Sequence, residues 1–378
     1  MNFINNMQKQ KLIKLIEPDL GNDELSEIRQ VFKSGILTRG PKVEQFETLV
    51  GKFVGAKYAL ATTSATTALH LALAALGIGP GDEVLVPDYT FPATANVVVQ
   101  LGAIPVLVDI DLDTFTIDLK DLEKKITKRS KAIMPVHAFG LSADMNPVNV
   151  LAKKHHLFVV EDAACALGTT YYGKRCGNLS DIGCFSFHPR KAITTGEGGM
   201  ITTNSKRLAD QMSLLRNHGG LRKNGRFTFL AAGYNYRLSD IQAAVGVAQM
   251  HKLPDILRKR TKRAQDLYTA LKDIDGISLP NIPPWKGHVF QSFVILLDMK
   301  YNRDTVIENM KKKNIETTLG TYALHDQPFF MKQYGYKASD LKKSHYVYKH
   351  ALTLPLYAQM TKQDINRIVV GLAESLKE

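Results

Sequence analysis

Between residues 58 and 203 short apolar runs alternate with segments of helical periodicity. Residues 58–61 read as a strand and 66–76 (TTALHLALAAL) as a helix rich in Ala and Leu. The cluster Gly77-Ile78-Gly79-Pro80-Gly81-Asp82 marks a turn after it. Further strands are predicted at 83–87, 104–109, 132–137 and 157–161, with helices at 93–100 and near 148–154. The runs 182–187 and 200–203 follow with no full helix between them. These strands are apolar throughout rather than alternating, which is the pattern of strands buried on both faces. The expectation is an α/β domain with a mostly parallel sheet, whose ligands bind beyond the carboxyl ends of its strands.

The texture changes after about residue 235. Residues 238–253 read as one helix, 255–272 as a second, strongly basic one. A strand at 290–297 and helices at 304–313 and 362–376 complete a smaller α+β region. With 378 residues, the chain is too long for one small core. We expect a large domain at 1–250, including the N-terminal segment, and a small one at 251–378.

Composition narrows the class. No apolar run approaches the roughly 20 residues of a membrane span. The start, Met1-Asn2-Phe3-Ile4-Asn5-Asn6, lacks a basic segment followed by an apolar one, so no secretory signal is expected. Cys165, Cys176 and Cys184 have neither paired nor metal-ligand spacing, which fits a reducing, cytoplasmic setting without a metal. Lys plus Arg exceed Asp plus Glu by 49 to 36, a net charge of +13. That surplus reads either as a solvated surface or as attraction for an anion such as a nucleotide diphosphate. The densest basic run, 258–263, has no interleaved aromatics, so nucleic acid is not expected.

Four segments fall where such a sheet would hold a ligand. Ser64-Ala65-Thr66-Thr67 opens a helix after a strand. It is either a plain N-cap or a cradle whose free N–H groups face a phosphate. Glu161-Asp162 closes a buried strand and needs a cationic partner, either a basic side chain or a protonated pyridine nitrogen. Phe185-Ser186-Phe187-His188-Pro189-Arg190-Lys191 carries a lysine on the loop after a strand, followed by Gly196-Glu197-Gly198-Gly199. A lysine held there can shed its proton and act as a nucleophile. Gly233-Tyr234-Asn235-Tyr236-Arg237 precedes a helix and offers Asn235 to a phosphate, or serves as a packing loop. A phosphate cradle, an acid and a later loop lysine are together the parts of a pyridoxal enzyme. No Gly-rich nucleotide loop of the P-loop or dinucleotide kind is present.

On these residues the sequence resembles the DegT/DnrJ/EryC1/StrS aminotransferases, which modify nucleotide-linked keto sugars. The resemblance runs over nearly the whole chain. Its carriers are GIGPGDEVLVP at 77–87, Thr90-Phe91 with Ala93-Thr94-Ala95-Asn96, Pro135-Val136-His137 and Glu161-Asp162-Ala163-Ala164. The run 185–199, Leu238-Ser239-Asp240-Ile241-Gln242-Ala243-Ala244 and Leu354-Pro355-Leu356 also fit. The pattern Ser-Phe-x-x-x-Lys-x-x-x-x-Gly-Glu-Gly-Gly, from Ser186 to Gly199, is the most specific.

The resemblance implies an aspartate aminotransferase type I fold and pyridoxal 5′-phosphate (PLP) as cofactor. It implies Lys191 as the Schiff-base lysine and Asp162 as partner of the pyridine nitrogen. Ala65, Thr66 and Ser186 are implied as phosphate contacts, Phe91 as the ring stacked on the cofactor. Asn235 is implied as a phosphate contact from a neighbouring subunit, hence a homodimer with shared sites. His188, Arg237 and His325 are candidates for the substrate side, each with a structural alternative. The implied substrates are L-glutamate and a nucleotide-linked 4-keto-6-deoxy sugar. Phe187-His188-Pro189 and 194–199 resemble the C4-aminating branch more than the C3-aminating one. Two departures stand out: Ala65 where the family often has Gly, and Cys165 where it often has Gln. Members that act as dehydratases carry His in place of Lys191. A dehydratase or a non-enzymatic regulator on the same fold are the alternative functions.

Overall fold

The computed structural model describes residues 11–377 apart from 224 and 225. The stretch Met1–Asn6, read above for a secretory signal, lies outside the described residues. No described helix is long and apolar enough to cross a membrane.

Seven strands build the main sheet: β1 (Tyr58–Thr62), β2 (Glu83–Pro87), β3 (Ile104–Val108), β4 (Ser130–Ile133), β5 (Phe158–Asp162), β6 (Ile182–Ser186) and β7 (Gly199–Thr203). Their order is β1-β7-β6-β5-β4-β2-β3. Neighbours from β3 through to β6 pair in parallel, and β7 runs against both β6 and β1. The mostly parallel sheet expected from the apolar runs is present. β4 stops at Ile133 instead of reaching 137, because Pro135 has no N–H to continue the ladder. Its carbonyl still accepts from Asp162 N at 2.9 Å, so the segment stays against β5.

Helices cover both faces. Helix Ala65–Ala75 lies deep inside, with Leu69, Leu71 and Leu73 all fully buried. A helix with apolar side chains on every side can rest only in the interior. Each such leucine contributes roughly 1.5–3 kcal/mol by leaving water. Since the central strands share a direction, their carboxyl ends line one edge of the sheet. Pro87, Asp162 and Ser186 all end their strands there.

The two helices expected at 238–253 and 255–272 are one helix, Asp240–Leu271, which continues past Pro254. Proline inside a helix costs about 3 kcal/mol through its missing N–H and ring clash. Burial on either side offsets it: Leu253 and Ile256 are both in the core. Ser239 caps its start by accepting from Gln242 N at 3.2 Å.

Beyond it lies an antiparallel sheet of four strands, in the order Ile277–Ser278, Phe293–Leu297, Ala351–Leu354, Thr318–Leu319. Its core includes Leu267, Phe293, Leu352 and Ile368, and also Ile13 from the N-terminal segment. Ile13 bridges to Ile315, tying the start of the described chain to this α+β region.

Candidate active site

β5 delivers two acidic side chains in succession, and alternation sends them to opposite faces. Glu161 is saturated. His137 Nε2 donates to it at 2.9 Å, Gly177 N at 2.6 Å, Leu179 N at 2.8 Å and Ser180 Oγ at 3.0 Å. His137 Nδ1 accepts from Ala143 N at 3.1 Å, which puts the ring proton on Nε2. Asp162 has less. Its Oδ2 accepts from Thr94 Oγ1 at 2.8 Å and its Oδ1 from Ala164 N at 3.1 Å. Among the described residues no cation forms an ion pair with it, although it is buried. Burial pushes its pKa up, and the Thr94 and Ala164 hydrogen bonds, with the charge of Lys191, only partly oppose that. Such a carboxylate is stabilised by any cation brought to it, and a protonated pyridine nitrogen is one.

Lys191 reaches the site from the loop after β6. That loop is folded back on itself. Phe187 N donates to Gly198 O at 2.9 Å, Thr195 N to Phe187 O at 3.0 Å and Lys191 N to His188 O at 2.8 Å. Phe187 and Ile193 anchor it in the core, with Phe187 against Phe46 at 4.9 Å between ring centroids. The lysine is thus held by structure on both sides. Its Nζ rests 3.0 Å from Cys165 Sγ, in the turn just after Asp162.

The phosphate end is built by close approach. Ser186 ends β6 and pairs with Gly199. A Cβ on Gly199 would come within 2.2 Å of Ser64 O and 2.6 Å of Thr62 Oγ1. Only glycine lets these backbones meet, and the meeting sets Ser186 beside the start of helix Ala65–Ala75. Ser64 caps that helix by accepting from Thr67 N at 3.1 Å, and Thr67 Oγ1 accepts from Ser64 N at 3.0 Å. The cap uses the third amide of the helix. Those of Ala65 and Thr66 have no intrahelical acceptor and carry the positive end of the helix dipole. Alanine at 65 leaves this backbone cradle intact. A dianionic phosphate fits it.

Phe91 is 65% exposed, with its ring 6.5 Å from that of Tyr322. Thr94 N donates to Phe91 O at 3.2 Å, so the exposed ring stands one turn before the hydroxyl that holds Asp162. A flat ring ligand over Asp162 would find this aromatic at hand. Thr94 was missed as a functional residue. Its spacing of three from Phe91 was visible, but nothing local linked it to Asp162.

The remaining expected residues divide. His188 is part-exposed; its Nδ1 accepts from Arg190 N at 3.2 Å and its Nε2 lies 4.0 Å from Glu197. Burial, with the neighbouring Lys191 and Arg190 charges, lowers its pKa against the opposing pull of Glu197. Because Nδ1 accepts from Arg190 N, the Nε2 side carries the ring's N–H. Arg237 donates to Asn217 Oδ1 at 2.6 Å. Asn235 is exposed and bridges backbone to backbone with Asn217. His325, for which a substrate-side and a structural role were both open, is 0% exposed. Its Nδ1 meets Asp88 Oδ2 at 2.6 Å and its Nε2 faces Ala338 O at 3.4 Å. Both ring nitrogens are spent inside the protein, which makes it a strut.

Comparison with known proteins agrees with this geometry. The family model described as the DegT/DnrJ/EryC1/StrS aminotransferase family matches residues 18–373. GDP-perosamine synthase of Caulobacter vibrioides is 42% identical over 89% of this chain and 91% of that protein. The spore coat polysaccharide biosynthesis protein SpsC of Bacillus subtilis is 39% identical over 95% and 96%. Spr1654 of Streptococcus pneumoniae, solved in a PMP form, superposes with a TM-score of 0.93 at 26% identity, covering 97% and 98%. Its PLP form gives 0.92. The fold is the type I fold of PLP enzymes, and the cradle, the buried Asp162 and the loop lysine fit that cofactor. This chain accordingly belongs to the DegT/DnrJ/EryC1/StrS aminotransferase family and is a PLP-dependent aminotransferase.

Proposed function

We propose that the protein transfers an amino group from L-glutamate to C4 of a nucleotide-linked 4-keto-6-deoxy sugar. The product serves the synthesis of a surface polysaccharide or related glycan. The observation that carries the reading is the placement of Lys191, whose Nζ lies 3.0 Å from Cys165 Sγ, near Asp162, which is buried with no ion pair among the described residues. Sugar chemistry is supported by the likeness to GDP-perosamine synthase and SpsC. The C4 position is supported by the sequence resemblance of residues 187–189 and 194–199 to C4-aminating members. Lys191 in place of histidine disfavours the dehydratase.

When bound, PLP supplies an electron sink and carries the amino group between the two substrates. The Lys191 amine is the positioned base that takes a proton from the substrate carbon and the acid that returns one. Asp162 would hold the protonated pyridine nitrogen, with Thr94 orienting the carboxylate and favouring its ionised form. The helix start and Ser186 would hold the phosphate and so position the cofactor for Lys191. His188 offers an Nε2–H and Glu197 an acceptor at the mouth of the site, where sugar hydroxyls would pass.

We further propose a homodimer in the cytoplasm, with sites shared across the interface. The hairpin Gly220–Lys223 and Arg226–Phe229 leaves Leu221, Phe227, Phe229 and Leu230 exposed, with Phe229 at 67%. Asn235 follows this apolar hairpin and is free to face a second copy. A mixture of Lys191→Ala and Asn235→Ala subunits then regains part of the activity that each lacks alone.

The deciding experiment incubates enzyme, PLP and glutamate with a panel of nucleotide 4-keto-6-deoxy sugars, read by mass spectrometry and by the position of the new amine. Exchange of the keto oxygen for an amine at C4, lost in Lys191→Ala, is the expected result. Amination at C3 would overturn the regiochemistry. No 2-oxoglutarate from glutamate would overturn the donor, and loss of water without amination would favour the dehydratase.

A further inference from the structure

The reading of Lys191 as the reacting amine, on which this inference rests, leaves open what holds that amine when it is not bonded to the cofactor. Lysine has a flexible four-carbon stem, and an unrestrained one spreads its amine over many positions. Here Nζ has an acceptor in Cys165 Sγ at 3.0 Å. Asp162 is near enough to feel its charge, but the hydrogen bonds of that carboxylate go to Thr94 and Ala164.

Cys165 is itself tightly placed. Ala163 N donates to Cys184 O at 2.9 Å and Ala166 N to Ala163 O at 2.8 Å, on either side of it. Ala164 N is bound to Asp162. Gly140 closes the far side, where a Cβ would lie 3.2 Å from the Cys165 carbonyl and 2.9 Å from Gln291 N. The turn that follows Asp162 therefore fixes the thiol relative to the carboxylate, leaving a single side-chain rotation. The other two cysteines are fully buried and their thiols are pushed up by burial, so neither shares this setting.

We propose that Cys165 is a positioning residue for Lys191: its sulfur holds the lysine amine in place whenever the lysine is free of cofactor. This covers the empty enzyme and the stage of turnover at which substrate has displaced the lysine. Through the short turn from Asp162 to Cys165, one strand end sets both the acid and the resting place of the amine.

The test follows capture of PLP by full-length empty protein, quenched with borohydride at intervals and read as cofactor fixed on the Lys191 peptide. Wild type, Cys165→Ala and Cys165→Ser are compared, together with their melting temperatures. Cys165→Ala is expected to slow capture by about three- to tenfold, the effect of losing one hydrogen bond. Its melting temperature and final extent of capture should be unchanged. Serine restores the acceptor and should recover most of the rate. In the glutamate half-reaction the same variants should lower kcat in that order at constant KM. Capture by Cys165→Ala at the wild-type rate would overturn the proposal. So would a slow Cys165→Ser with an unchanged melting temperature. Capture needs neither glutamate nor sugar. If Lys191 captures PLP in the expected order but no sugar is aminated, the substrate reading falls and this one stands.

Discussion

Asp88 and Asp162 leave the same edge of the main sheet, one just after β2 and the other at the end of β5, and both are buried. Burial pushes the pKa of each upward. Their surroundings differ. Asp88 accepts from His325 N at 2.7 Å and from its ring at 2.6 Å, so a basic ring lies against it. Asp162 has a hydroxyl and an amide but no ion pair among the described residues. Glu161, next to it, is closed by four donors. The closed groups join parts of the fold: Asp88 ties the sheet to the 324–326 turn of the C-terminal region, and Glu161 ties β5 to the 177–180 loop. The open one is, on the proposed reading, the acid that meets the cofactor's ring nitrogen.

The largest effect expected from breaking this contrast is at Asp162. Asp162→Asn retains the shape and the Thr94 contact but no longer favours a protonated ring nitrogen. The half-reaction with glutamate should slow by roughly 10²–10³-fold, the scale of removing one electrostatic stabiliser. The empty protein should melt no lower than wild type, because an unmatched buried charge has gone. A melting temperature lowered by several degrees with activity preserved would make Asp162 a strut like Asp88.

His325→Ala is the converse. It leaves Asp88 buried and uncompensated, so stability should fall by about 3–5 kcal/mol in denaturant titration. Activity per folded molecule should remain near wild type. The pH dependence has a definite sign. Burial lowers the His325 pKa, but the hydrogen bond and charge of Asp88 outweigh it and hold it above the ordinary histidine value. A raised folded pKa means a contribution that is full below the unfolded value and lost as pH rises through the folded one. The gap between wild type and His325→Ala should therefore narrow on the alkaline side. A gap that widened there would reject the charged pair.

Asp162 obeys the same rule with a different consequence. Its raised pKa makes its contribution to the empty fold full below the ordinary carboxylate range and lost as pH rises through its folded value. Above that point the buried charge is unmatched, and a protonated ring nitrogen relieves it. The rise in melting temperature on adding PLP should grow with pH across this window in wild type. Asp162→Asn should remove that component, whereas Asp88→Asn should retain it.

These contrasts also show what could be read from the chain alone. Apolar runs and turn residues marked the sheet, and strand ends marked Asp162 and Lys191, because both signals are local. His325 was left between a substrate-side and a structural role for the opposite reason: its partner Asp88 lies 237 positions away, and a lone histidine carries no sign of burial. Thr94 went unassigned since its acceptor is 68 positions distant. The long helix was split at Pro254 because propensity argued for a break, while the burial of Leu253 and Ile256 that overrides it is tertiary.

The smallest effect sharpens the comparison most. Thr94 donates to Asp162 Oδ2, and Thr90 Oγ1 lies 3.0 Å behind it as a second link. Thr94→Val retains the shape and removes the proton. Asp162 is then left with the Ala164 amide alone, and its ionised form loses support. Cofactor affinity should weaken by about 1 kcal/mol, or roughly fivefold, the net value of one hydrogen bond. The pH at which PLP begins to add stability should move upward, because burial is less opposed. Thr94→Ser retains the donor and should follow wild type in both measurements. The His325–Asp88 pair shares no donor with Thr94, so its contribution should be untouched. If Thr94→Val changed the stability difference between wild type and His325→Ala, the two acids would not be separate devices, and the contrast between open and closed carboxylates would fail.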